Sequence, residues 1–174
     1  MEFKKNDPLI ENYYKAVLFA QKMITQTEKE IMKLIEQDEA LLKNYQLVTS
    51  IPGIGNVNAW TMIAYTENFK RFSNARKFGA YCGIVPFTNT SGTSIKKRDR
   101  VNHMANKHIK AILTMAAKAS IGHDPEMSEY YKRRETLGKH HMSIVNEVKF
   151  KLVLRMFAVV NKQEIYLKKD KIAA

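Results

Sequence analysis

The stretch Ser50-Ile51-Pro52-Gly53-Ile54-Gly55-Asn56-Val57-Asn58-Ala59 decides how the fold is read. Two glycines alternate with apolar residues, and a helical pattern follows at once. This is the helix-hairpin-helix form, in which apolar-Gly-apolar-Gly turns one helix tightly into the next. The glycines permit positive φ and a close backbone approach. Ile51, Ile54 and Val57 are then expected in the core, holding the turn shut. The second helix offers unpaired backbone N–H groups at its N-terminus, and the helix dipole polarises them positively. They suit a phosphate contacted without sequence preference. Gly53, Gly55 and Asn56 are therefore candidate DNA- or RNA-binding residues. The alternative is a tight turn that only joins two helices.

Towards the N-terminus the pattern is a long helix. Pro8 suits a first helical turn, with Asp7 as its cap. Ile10, Val17, Ile24 and Ile31 recur every seven residues, and Tyr13, Ala20, Leu34 and Leu41 fill much of the companion register. Thr27 and Asp38 break it. A heptad seam of this kind predicts a coiled coil that dimerises the chain or packs on another of its helices. A long amphipathic helix lying on the domain's own core is the alternative. The helix is expected to break near Tyr45, with a short helix following and ending before Pro52.

Towards the C-terminus the pattern predicts a helix over about 57–67, with Val57, Trp60, Ile63 and Ala64 on one face. Ser73 is expected to cap a short helix running to about Cys82. Residues 87–104 are polar and basic without helical period, and read as a loop or hairpin. Helices follow over about 105–120, from Asp124-Pro125 to Gly138, and over about 142–161 with Ile144, Val148, Leu152 and Met156 on one side. The expected fold is mainly α: a long N-terminal coiled-coil helix over 1–45, a small helical domain containing the helix-hairpin-helix over 46–166, and a basic tail over 167–174.

Charge is distributed unevenly. Residues 1–44 carry seven lysines against eight acids, whereas residues 45–174 carry 22 bases against nine acids. Within 66–122 there are 11 bases and two acids, Glu67 and Asp99. A basic field this concentrated attracts polyanions. A merely well-solvated basic surface is the bland alternative. Cys82 is the only cysteine, so no intrachain disulfide can form, and no apolar run approaches the roughly 18 residues of a membrane span. No membrane partner and a cytoplasmic setting are expected.

Thr90-Ser91-Gly92-Thr93-Ser94-Ile95-Lys96-Lys97-Arg98-Asp99-Arg100 joins hydroxyls to four bases. A serine nucleophile needs an exposed oxygen, a free backbone and a route for its proton. Phosphoryl transfer also needs cations for the charge of its transition state. Gly92 supplies backbone freedom, and Lys96, Lys97, Arg98 and Arg100 supply charge. Read locally, a phosphate-binding loop with incidental serines fits as well. His103 and His108 are five apart and do not share a helix face. With one cysteine and no histidine–acid cluster, no metal site is expected in this chain. Tyr130-Tyr131 before Lys132, Arg133 and Arg134 suits stacking on nucleic acid or an ordinary amphipathic helix.

The order of these motifs resembles a known family. "SIPGIGNVNAWTMIAYTENFKRFSNARKFGAYCGIVPFTNTSGTS" followed by "NKHIKAILTMAAKASIGHDPEMSEYYKRRETLGK" is similar to the C-terminal transposase domain of DEDD-type insertion-sequence transposases, the insertion-sequence one-hundred-ten family, relatives of the Piv/MooV invertases. The resemblance covers about residues 45–166. It implies that the catalytic serine is Ser91, attacking a DNA phosphodiester. It also implies four acids and a divalent metal in a separate N-terminal RuvC-like domain, and a guide RNA of the element as a second partner beside DNA. That domain is not in this sequence, so the chain is expected to be a piece or remnant of a longer transposase, inactive alone and itself without a cofactor. Two departures stand out. His103-Met104-Ala105-Asn106 replaces the usual Ser-Lys-Arg-Gly-Asn-like approach to the next helix, and Ile109-Lys110 replaces Leu-Arg. Lysine keeps the charge without the bidentate fork.

The expectation is thus a DNA-binding recombinase domain that forms homo-oligomers through its first helix. It binds DNA or RNA through Gly53, Gly55, Asn56, Lys96, Lys97, Arg98, Arg100, Lys107 and Lys110, and it contributes Ser91 to strand cleavage or joining. The alternatives are a non-catalytic helix-hairpin-helix DNA-binding module and a coiled-coil interaction protein with an incidental basic surface.

Overall fold

A computed structural model describes residues 8–85 and 105–167 with their side chains, and residues 87–91 and 95–100 by their backbone. The expected cap Asp7, the loop residues Gly92, Thr93 and Ser94, His103, and the tail from residue 168 lie outside the described residues. The described residues form seven α-helices and one two-stranded hairpin, so the fold is mainly α. In order they are α1 (Pro8–Glu36), α2 (Glu39–Thr49), α3 (Asn56–Thr66), α4 (Ala75–Tyr81), β1 (Phe87–Ser91), β2 (Ile95–Arg100), α5 (Lys107–His123), α6 (Pro125–Thr136) and α7 (His141–Lys162). The chain divides into two compact units, residues 1–42 and 43–174.

In the first unit, α1 runs 29 residues. The seam residues Ile10, Val17 and Ile24 are all exposed, as are Tyr13 and Leu34. The helix ends earlier than expected, at Glu36, and the chain breaks at Asp38 rather than near Tyr45. The Asp38 carboxylate accepts from the backbone N–H groups of Ala40 (2.8 Å) and Leu41 (3.0 Å). An aspartate that satisfies first-turn donors starts a new helix more readily than it continues an old one. Leu41 therefore belongs to α2 and not to the heptad seam.

The second unit is built around α7. Ile144, Val148, Leu152 and Met156 are buried as their spacing predicts, and Val145, Val153, Phe157, Val159 and Val160 are buried with them. A helix apolar on most of its circumference is a core helix, and α4, α5 and α6 pack around it. The Asp124-Pro125 signal does what it promises. Asp124 accepts from Glu126 N–H at 3.1 Å, and Pro125 opens α6. Asp124 is itself buried, with Arg155 2.8 Å away as its counter-charge. Arg155 also reaches Glu126 and stacks over Tyr166 at 4.7 Å, while Tyr166 N–H donates to Ser50 Oγ at 2.8 Å. These bonds tie the segment after α7 back to the turn between α2 and α3.

Two local expectations are corrected. The cap of α4 is Asn74, whose side chain accepts from Lys77 N–H at 2.9 Å, and not Ser73. The buried face of α3 is Ala59, Met62, Ile63 and Thr66, so of the expected face Val57, Trp60, Ile63 and Ala64 only Ile63 is buried. Val57 is 49 % exposed, and Ala64 is exposed. The helix starts at Asn56, and residues three, six, seven and ten positions on share one side of it. That phase puts Val57 outward.

Candidate nucleic-acid interface

Between α2 and α3 the chain reverses over residues 50–55. Ile51 and Ile54 are buried, and Ile54 N–H donates to Ile51 O at 3.0 Å across the turn. Gly53 lies in the left-handed half of backbone space, at φ +90°. A Cβ there would also stand 2.6 Å from Ser120 Cβ and 2.7 Å from its Cα and N, so the turn lies directly on the backbone of α5. Gly55 has a different role from the one expected. Its φ is −94° and its ψ 179°, ordinary extended backbone, and a Cβ there would meet open space. It is the N-cap of α3, and no side chain caps that helix. Among the described residues the first-turn N–H groups therefore have no side-chain acceptor at the cap. Asn56 holds the turn to α2, its Oδ1 accepting from Tyr45 Oη at 2.9 Å. Close by, Asn58 Oδ1 and Trp60 Nε1 are buried without a hydrogen-bond partner among the described residues.

The hairpin lies between α4 and α5. Its strands are antiparallel, with Ser91 opposite Ile95, Thr90 opposite Lys96, Asn89 opposite Lys97 and Phe87 opposite Arg100. The ladder is irregular between Phe87 and Asn89. Ser91 ends the outgoing strand, and Lys96, Lys97, Arg98 and Arg100 all belong to the returning one. Register thus puts the candidate nucleophile and the four bases on one two-stranded element.

The third component is the start of α5. Asn106 caps it, its Oδ1 accepting from Ile109 N–H at 3.1 Å, and its backbone N–H donates to Tyr81 O at 3.1 Å. Lys107 is exposed and Lys110 half-buried. The His108 ring lies 6.2 Å from that of Tyr65 on α3, so α3 and α5 meet at this end. The other candidates are engaged within the fold. Tyr130 donates to Glu147 at 2.9 Å under a cap of Lys151, and Tyr131 pairs with Glu135 and His141. Burial pushes the Cys82 thiol up to about 12, so it stays protonated and unreactive. Among the described residues no group of three His, Cys, Asp or Glu converges as a metal site would require, and no helix is long and apolar enough to cross a membrane.

Residues 45–132 match the model of the family described as Transposase IS116/IS110/IS902, which spans half of the chain. The chain belongs to that family. It is 28 % identical over 147 residues to the pilin gene-inverting protein of Moraxella lacunata, covering 84 % of this chain and 46 % of that protein. It is 27 % identical over 146 residues to the insertion element IS110 43.6 kDa protein of Streptomyces coelicolor, covering 82 % and 36 %. Against the insertion element IS900 42 kDa protein of Mycobacterium paratuberculosis the identity is 23 % over 155 residues, covering 83 % and 39 %. The chain thus spans less than half the length of each of these relatives. The family match contains all three components of the candidate interface: the turn at 50–55, the hairpin and the first half of α5.

The sequence reading passed over Lys149. It is buried on α7 with Val145, Val148, Leu152 and Val153, and among the described residues its hydrogen-bond partner is Asn146 Oδ1 at 3.0 Å. Burial, and then the charges of Lys110 and Lys118, pull its amine down to about 8 from 10.5. A signal was available: position 149 lies four residues from both Val145 and Val153, inside the apolar stripe.

Proposed function

We propose that this chain is the DNA-joining part of a transposase or site-specific recombinase. It holds nucleic acid through the turn at 50–55, the basic strand β2 and the start of α5, and it supplies Ser91 as the nucleophile. The observation that carries the reading is the register of the hairpin within a transposase-family match. Ser91 ends one strand, and the facing strand contributes Lys96, Lys97, Arg98 and Arg100. In the step itself the Ser91 oxygen bonds to phosphorus and one bridging P–O bond of the strand breaks. The serine proton is removed, and the departing strand leaves as a hydroxyl once protonated. The bases of β2 offset the charge that builds on the non-bridging oxygens. The open N-terminus of α3 behaves as a helix-hairpin-helix contact, accepting a backbone phosphate away from the reacting one.

The described residues do not form the acid cluster that the family resemblance implies. That cluster, with its divalent ion, is assigned to a separate RuvC-like domain, and a guide RNA to the assembled complex. The exposed seam of α1 is assigned to a coiled coil between copies. The similarity to relatives named for gene inversion favours recombination chemistry over mere binding. The test is a denaturing gel for protein-linked DNA when the chain is combined with a matching RuvC-like domain and its RNA. A covalent adduct is expected that Ser91→Ala abolishes and Ser94→Ala largely spares. Joining that survives Ser91→Ala, or an adduct mapped to Ser94, overturns the assignment and leaves a non-catalytic DNA-binding module.

A further inference from the structure

A cavity of about 430 Å³ opens between α4, the segment leading into β1, and α7. That is within the range of sites that enclose small ligands, roughly 300–1,000 Å³. Its apolar wall is Ile84, Val85 and Phe150, and its polar groups are Arg76, Ser143 and Asn146, with the Lys139–Glu147 pair at one side. Gly79 keeps the wall in place: a Cβ there would stand 2.7 Å from Val85 Cγ2 and 3.1 Å from the edge of the Phe150 ring. Phe150 is therefore seated by one edge and remains half-buried at the cavity.

The polar groups are unequal. Glu147 is already satisfied. Burial alone would raise its carboxyl, but hydrogen bonds from Arg134, Lys139 and Tyr130 outweigh that and hold it at about 2. It stays ionised and paired and has little acceptor capacity left. Asn146 is fixed by Lys149. An ammonium only donates, so Asn146 must turn Oδ1 towards it, and the Nδ2 donors remain for the cavity. Ser143 is exposed, and Arg76 is exposed with no ion pair or side-chain hydrogen bond among the described residues. The cavity thus combines a flat apolar wall, an amide with donors to spare, an exposed hydroxyl, and at its rim a guanidinium without a partner among the described residues. The buried ammonium of Lys149 stands behind the amide.

We infer that this cavity takes one unstacked nucleotide of a bound strand, with its base against Phe150 and Val85, base acceptors on Asn146 and Ser143, and a flanking phosphate on Arg76. A planar, acceptor-rich base joined to an anion fits such a lining, and aromatic contact with a base needs no particular sequence. One residue separates Val85 in the cavity wall from β1, so a nucleotide held here sits at the base of the hairpin that carries Ser91. The inference rests on the nucleic-acid reading above and adds a capture site distinct from the turn, β2 and α5.

The test uses the full 174-residue chain and short single strands with a fluorescent adenine analogue at one position. An otherwise identical strand lacks that base. Deoxyribose and ribose versions are compared, and preference for either supports the assignment and names the polymer. The strand with the base should bind about 5- to 20-fold more tightly than the baseless strand, the usual effect of one aromatic stacking contact. Asn146→Ala should erase most of that ratio, at a lower melting temperature because it also removes the partner of the buried Lys149. Arg76→Ala, which loses a phosphate that both strands carry, should instead weaken both strands alike and leave duplex binding and the melting temperature close to those of the unmodified chain. Phe150→Leu keeps the wall apolar but removes the aromatic face, and should cut the ratio without emptying the core. Equal binding of the two strands overturns the capture site, as does a ratio unchanged in both Asn146→Ala and Phe150→Leu. In either case persisting duplex binding leaves the broader reading standing. Loss of binding to every nucleic acid by the unmodified chain overturns both.

Discussion

The backbone of Ser120 occupies the space that a side chain at position 53 would need, with only 2.6 Å between a Gly53 Cβ and Ser120 Cβ. The two glycines of the turn therefore differ in consequence. Gly53→Ala meets both the clash with α5 and a φ of +90°. It should cost about 2–4 kcal/mol, since left-handed strain and overpacking each contribute. Gly55→Ala meets neither, and should cost no more than about 1 kcal/mol, the loss of a favoured N-cap residue. Urea unfolding of the two variants checks this. Equal destabilisation would show that the turn does not rest on α5 in solution.

This contrast also shows what the sequence can tell. The pair of glycines is visible in it, as are the stop at Asp124-Pro125 and the apolar side of α7, because each is local or periodic. The phase of α3 was not. Val57 is β-branched and follows the turn directly, yet burial was decided by where the helix begins, at Asn56. The break at Asp38 was misplaced because an aspartate inside a heptad reads as a flaw in the seam before it reads as a cap. The cavity had no sequence signal: Arg76 and Asn146 are on helices far apart in the chain and meet only through packing on α7.

Salt dependence tests the basic strand. Duplex affinity should fall steeply with salt, because each neutralised phosphate adds about 0.9 to the slope of log affinity against log salt. Replacing Lys96, Lys97, Arg98 and Arg100 together by Ala should lower that slope by about 3–4 if each base meets a phosphate. Fluorescence anisotropy across a salt series measures it. An unchanged slope would remove β2 from the interface.

The exposed seam of α1 gives the third prediction. Val17 and Ile24 are 52 % and 58 % exposed and lie one heptad apart. An apolar row left open in this way is covered by a partner helix when copies associate. Replacing both by Asp puts unpaired charge into the row and should convert an oligomer to a monomer. The melting of residues 43–174 should hardly change, since that unit has its own core. Sedimentation of the unmodified chain as a monomer at high concentration would refute the assignment.

Lys149 gives a prediction in which stability and binding move in opposite directions. Its folded amine lies at about 8, against 10.5 in its ordinary state, chiefly through burial and then through Lys110 and Lys118. Between those values the unfolded chain holds a proton that the folded chain has released. Its contribution to stability therefore rises with pH across that window, and below about 8 the penalty of the buried ammonium is present in full. Lys149→Met keeps much of the volume and removes the charge. At neutral pH it should stabilise the protein by about 1–3 kcal/mol, as when other buried charges are replaced by apolar groups. The gain over the unmodified chain should shrink as pH climbs from about 8 towards 10.5. The same substitution frees Asn146 from its fixed orientation and removes a positive charge behind the cavity, so capture of the unstacked nucleotide should weaken. Chemical unfolding at neutral and alkaline pH, run beside the single-strand titrations, reads both quantities. A variant that is less stable at neutral pH would show that the ammonium has partners strong enough to repay its burial. A variant that is more stable but binds the strand as before would separate Lys149 from the cavity it backs.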